Sequence, residues 1–120
     1  MPDDPSTTRH AVAQALARAQ RDRQPVDPVA GDLPGGLDEA YEVQELVIAH
    51  RESTSNPRVG RKVGLTSRAV QEQLGVDQPD FGVLLRDMEV ADGGTIPADT
   101  LLQPKIEAEV AFILGADITD

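Results

Sequence analysis

The chain has 120 residues, enough for one ordinary domain with a modest core. Hydrophobic residues make up 39% and charged residues 27%, a globular composition, and with only 2% aromatics the core must come from Val, Leu, Ile and Ala. A formal charge of −10 argues against nucleic-acid binding, the lack of cysteine excludes disulfides and thiolate chemistry, and no apolar run approaches the ~20 residues of a membrane span.

The first stretch, MPDDPSTTRH, lacks the basic start and apolar centre of a secretory signal, so a cytoplasmic protein is expected. Residues 1–5 are rich in Pro and Asp and are expected to fray. Ser6 or Thr7 caps a helix running to about Arg21, with Val12, Ala15, Leu16 and Ala19 as its apolar stripe. Residues 23–36 are crowded with Pro and Gly and read as a loop. A second helix starts at Asp38 and ends near Glu52, with Glu39 and Glu42 in its first turns. His50 reads as a partly buried residue of that helix and His10 as a surface residue.

From Val59 the pattern changes. VGRKVGLT alternates, with Gly60, Lys62 and Gly64 on one side and Val59, Arg61, Val63 and Leu65 on the other, which predicts a strand. Thr66 or Ser67 caps a short helix through Leu74, and Gly75 sits where a left-handed C-terminal residue belongs. VDQPDFG, residues 76–82, reads as a loop, because Pro79 disfavours helical geometry at Gln78. Short β segments are expected at 83–85, 89–91 and 95–96, the last two joined by a turn at the DGG of 92–94. Residues 105–114 give the clearest strand signal.

Within PKIEAEVAFILG, residues 104–115, Glu107 and Glu109 stand in an apolar run. In an extended chain they share a face with Ala111 and Ile113, while Ile106, Ala108, Val110, Phe112 and Leu114 form an apolar face. Their Cα atoms would lie roughly 6.5–7 Å apart. Two like charges so close need neutralising, and a divalent cation would do it. A solvated outer face is the simpler reading, since an E-x-E pair is common on surface strands.

Three ordered blocks add to this: G-R-K-V-G-L-T-S at 60–67, G-V-D-Q-P-D-F-G at 75–82 and Q-P-K-I-E-A-E at 103–109. Together they resemble the 2-keto-4-pentenoate (2-hydroxypenta-2,4-dienoate) hydratases of the fumarylacetoacetate hydrolase superfamily, over about residues 37–120. The resemblance implies a lyase of aromatic meta-cleavage catabolism that adds water to 2-hydroxypenta-2,4-dienoate, giving 4-hydroxy-2-oxopentanoate. It implies Mg2+ or Mn2+ held by Glu107 and Glu109, and an acid–base pair of Lys62 and Asp80. Thr66, Ser67 and Gln103 are weaker candidates for substrate binding, and Lys105 flanks the metal pair. Arg61 stands where the family carries a bulky apolar residue.

The implied fold class is α+β. Residues 1–56 would form an N-terminal helical region, and 57–120 the first strands of a fumarylacetoacetate-hydrolase-like mixed β-roll. Close relatives are about twice this length, and the third acidic metal ligand of the family has no counterpart here. A fragment with poor stability and little activity on its own is therefore expected. The family further implies a homo-oligomer in its full-length form and association with a pathway decarboxylase. Alternative readings are the sister decarboxylase of 2-oxo-3-hexenedioate, from which the acid at Asp80 distinguishes the hydratases, and a non-catalytic assembly partner.

Overall fold

The computed structural model describes residues 5–118. Helix α1 spans Pro5–Asp22 and helix α2 spans Gly36–Ala49. Strand β1, Arg58–Gly64, pairs antiparallel with strand β2, Asp80–Leu85, and helix α3, Arg68–Leu74, lies between them in sequence. The expected fraying at residues 1–5 falls almost wholly outside the described part.

Helices α1 and α2 pack through their apolar stripes. Val12 and Ala13 of α1 meet Val43 of α2, and Leu33 from the connecting loop closes the cluster. Arg9 of α1 ties the helices together at the surface, reaching Glu39 at 3.4 Å and Glu42 at 3.0 Å. Helix α2 starts two residues earlier than Asp38 and ends three before Glu52. His50 is its exposed C-terminal cap, with Nδ1 hydrogen-bonded to the Leu46 carbonyl at 2.6 Å.

A second cluster joins α2 to the sheet. Ile48 packs against Val83 and Leu85 of β2, and Leu85 is wholly enclosed. Phe81, Val83 and Leu85 share one face of their strand, so that face looks toward α2. The register sets Gly64 opposite Asp80, Lys62 opposite Gly82 and Gly60 opposite Leu84. These residues form the other face, as the alternation of β1 predicts.

The connection between the strands follows its sequence signals. Ser67 caps α3, its hydroxyl accepting from the Val70 N–H at 3.2 Å. Gly75 ends the helix at φ 71°, its N–H pointing back at the carbonyls of Gln71 and Glu72. Between β1 and this cap the chain turns at Leu65, whose φ of 54° is unusual for a branched side chain.

Three expectations fail after residue 78. The loop expected through Gly82 gives way to strand at Asp80, because residues 80–82 find partners in Val63, Lys62 and Gly64. The segments 89–91 and 95–96 are not strands, although the turn between them forms, with Gly93 at φ 71° and Gly94 N–H donating to the Ala91 carbonyl at 2.8 Å. Residues 105–114 form no strand. From 101 to 118 there is no helix or strand, and among the described residues no backbone-to-backbone hydrogen bond. Alternation prepares a strand, but a ladder needs a neighbouring backbone, and none of the described residues pairs with this segment.

Candidate active site

The sheet face turned away from α2 carries few side chains. Gly60, Gly64 and Gly82 leave it nearly bare around Lys62 and Asp80. These two are diagonal neighbours on paired strands, a relation that puts Cα atoms about 7–8 Å apart. A Cβ at Gly82 would meet only the Lys62 Cβ, at 3.9 Å. At Gly64 a Cβ would overlap Oδ1 of Asp80, so this glycine is what lets the carboxylate lie over β1.

Helix α2 fixes the strand beside Asp80. The Phe81 N–H donates to the Tyr41 hydroxyl at 3.1 Å, and the Phe81 carbonyl accepts from Gln44 Nε2 at 3.0 Å. Both main-chain polar groups of Phe81 are thus held by side chains three residues apart on one helix. Sequence reasoning missed Tyr41 and Gln44. Their spacing marks a shared helical face but not what that face touches.

The segment after Gln103 crosses to the open face. Lys62 Nζ donates to Glu107 Oε2 at 2.7 Å and to Glu109 Oε1 at 2.8 Å. The acid pair and the lysine, 45 and 47 residues apart in sequence, thus converge on one point. The hydrogen bond from Lys62 holds the Glu107 carboxyl below its usual range. The Glu107 and then the Glu109 hydrogen bonds raise the Lys62 ammonium above its usual value. The group is open, Lys62 being 42% exposed and the two glutamates more so, which limits the strength of these charge pairs.

The weaker candidates lie apart. The Ser67 hydroxyl is committed to capping α3. Gln103, at φ 51°, lines an apolar cavity of about 420 Å³ between α1 and α2 and not the acid pair. Thr66 follows the turn at Leu65, just before the Ser67 cap of α3. Arg61 points to the helix side, 4.0 Å from Glu45.

The donor set suits a hard divalent cation. Two carboxylate oxygens already converge on a positive charge, and hard oxygen ligands are what Mg2+ and Mn2+ take. Among the described residues no cluster of three or more His, Cys, Asp or Glu adds to the pair, so water and substrate oxygens would complete the shell.

No family model matches the sequence. It is similar to the 2-keto-4-pentenoate hydratase of Paraburkholderia xenovorans (strain LB400), 46% identical over 111 residues, covering 92% of this chain and 41% of the relative. It is 51% identical over 110 residues to 2-keto-4-pentenoate hydratase 2 of Dechloromonas aromatica (strain RCB), covering 91% of this chain and 42% of that one. Among solved structures, the 4-oxalocrotonate decarboxylase from Pseudomonas putida G7, complexed with calcium and acetate, superposes with a TM-score of 0.73 at 32% identity. That match covers 81% of this chain and 38% of the decarboxylase, which has also been solved with magnesium and adipate.

Fold and sequence together define the class, a partial fumarylacetoacetate-hydrolase-like α+β arrangement. Within it, the chain resembles the 2-keto-4-pentenoate hydratases in sequence over the residues that align. It spans about two fifths of the length of the curated relatives it matches.

Proposed function

We propose that this chain contributes the acid pair, the lysine and the Asp80 carboxylate of a metal-dependent hydratase acting on 2-hydroxypenta-2,4-dienoate. The observation that carries the reading is the convergence of Glu107 and Glu109 on Lys62, over a glycine-lined face shared with Asp80. Identity of 46–51% to hydratases, against 32% to the decarboxylase, favours hydration over decarboxylation. No helix among the described residues is long and apolar enough to cross a membrane. In this reading the protein works in the cytoplasm as a homo-oligomer beside a pathway decarboxylase, residues 57–120 belong to its catalytic domain, and 1–56 form a helical region.

Glu107 and Glu109 would hold Mg2+ or Mn2+. When bound, the metal would polarise the 2-oxygen of the chelated oxo acid and steady the enolate. The 2-hydroxyl proton would pass to C5, giving a 2-oxo-3-ene, with Lys62 either carrying it or donating to the oxyanion left at C2. Asp80 would take a proton from water as its oxygen bonds to C4, and that proton would return to C3. One water is consumed, and 4-hydroxy-2-oxopentanoate results. The glycines leave room for a flat five-carbon acid beside the strand.

The test follows the dienoate absorbance, which disappears when hydration breaks the conjugation. In a chain of the relatives' full length that carries these residues, the dienoate should be turned over with Mg2+ or Mn2+, and Asp80→Asn should reduce kcat by a factor on the order of 10² to 10⁴, the usual worth of a positioned acid or base. Full activity in Asp80→Asn would remove that residue from the mechanism. A folded chain that binds Mn2+ yet leaves the dienoate intact would favour the non-catalytic assembly partner.

A further inference from the structure

We propose that the Lys62 ammonium stands in for the divalent cation between Glu107 and Glu109, and that cation binding releases Lys62 to the substrate. The inference rests on the metal reading of the acid pair given above.

Nζ sits 2.7 Å from one carboxylate and 2.8 Å from the next, taking one oxygen of each. Among the described residues, the second oxygen of each acid bonds no other side chain. An ammonium is a compact point charge with three donors, two of which are used here. It meets two negative charges with one positive, so the cluster keeps an excess of one. A divalent ion would cancel the excess.

The two cations cannot share the place. Magnesium would draw the same oxygens to about 2.0–2.1 Å and repel an ammonium held as close as this one. Lys62 has somewhere to go. Its stem is flexible, and its neighbours on the same face are Gly60, Gly64 and Gly82, with Asp80 beyond them. The released amine therefore comes to lie over the bare strands, where the substrate would rest. Metal is bound before substrate, and without metal the lysine stays occupied.

The chain has two lysines, Lys62 and Lys105, which makes a footprint simple. The unaltered chain is treated with limiting acetic anhydride, with and without saturating Mg2+, and acetylation at each lysine is read by peptide mass spectrometry. Lys105, which bonds neither carboxylate, is the reference. The Lys62 rate relative to Lys105 should rise about threefold to tenfold with Mg2+, the range expected when exposed charge-assisted hydrogen bonds are released. In Glu107→Gln/Glu109→Gln, Lys62 should react fast whether or not Mg2+ is present. Binding of Mn2+ is measured separately by the electron paramagnetic resonance signal of the free ion. If Mn2+ binds the unaltered chain and is lost in the double variant, but Lys62 reactivity does not change, the exchange is overturned and the metal site stands. If Mn2+ does not bind, both fall.

Discussion

Glu39 shows how one side chain can organise a turn. It is 6% exposed, yet its carboxylate accepts the Gly35 N–H at 2.8 Å and meets Arg9 at 3.4 Å. It thereby satisfies a main-chain donor at the start of α2 that the helix leaves open. The fit is tight: a Cβ at Gly35 would come within 3.0 Å of the Glu39 Cβ. Glu39→Ala strands that N–H and leaves Arg9 with Glu42 alone, and should lower stability by about 1–3 kcal/mol in urea unfolding. Glu42→Ala, which removes the exposed second partner of Arg9, should cost less than about 1 kcal/mol.

The Lys62 cluster makes a second prediction at this scale, with two signs. Glu107 titrates below its ordinary 4.5, so its contribution is present above that pH and is lost as pH falls through the lowered value. Lys62 titrates above its ordinary 10.5, so its contribution is present below that pH and goes only as pH rises past the raised value. The segment around Glu107 should therefore stay docked through neutral pH and leave the sheet in acid below about pH 4.5. Amide shifts of Gly60–Gly64 and Glu107–Glu109 against pH would follow it, and salt should weaken the docking, because the pair is exposed. Shifts unchanged down to pH 3 would show that something other than the ion pair holds the segment.

Among the elements, α2 is the keystone, since one of its sides meets α1 and another meets β2. Leu85 is the side chain most enclosed at that second contact. Leu85→Ala should cost about 2–5 kcal/mol and loosen the Tyr41 and Gln44 bonds to Phe81 with it. Accelerated hydrogen exchange at Phe81 would report the second effect. The sequence made α1, α2 and α3 legible because their signals are local: stripes at helical spacing, Ser67 as cap, Gly75 as stop. It made the faces of β1 legible through alternation. It could not identify Asp80–Gly82 as strand, because pairing with β1 overrides the Pro79 turn signal. It misread 105–114 for the opposite reason, as alternation there has no partner backbone. The candidate site was legible through its three motif blocks. The route by which Lys62 reaches Glu107 was not, since no spacing encodes a contact across more than forty residues.

At the scale of the whole molecule, the apolar surface is distributed unevenly. The cores of α1, α2 and β2 close on themselves, while beyond residue 105 large side chains stand in solvent: Ile106 is 100% exposed, Phe112 84% and Ile113 99%. Isolated exposed apolar residues are ordinary, but a contiguous run is not. This run includes the β-branched Ile106, Val110 and Ile113, and among the described residues its main chain makes no backbone-to-backbone hydrogen bond, features that make a segment adhesive. Its only charges are Lys105, Glu107 and Glu109, clustered at one end, and two of the three are engaged with Lys62. Residues 110–114 consequently lack the charges that usually guard such a segment. The chain should therefore bind anilinonaphthalene sulfonate in its native state and associate as concentration rises. Phe112→Asp with Ile113→Lys should suppress both while leaving urea unfolding of the helical core within about 0.5 kcal/mol, as expected for substitutions away from buried contacts. Light scattering and dye fluorescence on the same samples would decide it: equal association in the variant would mean that another surface is the adhesive one.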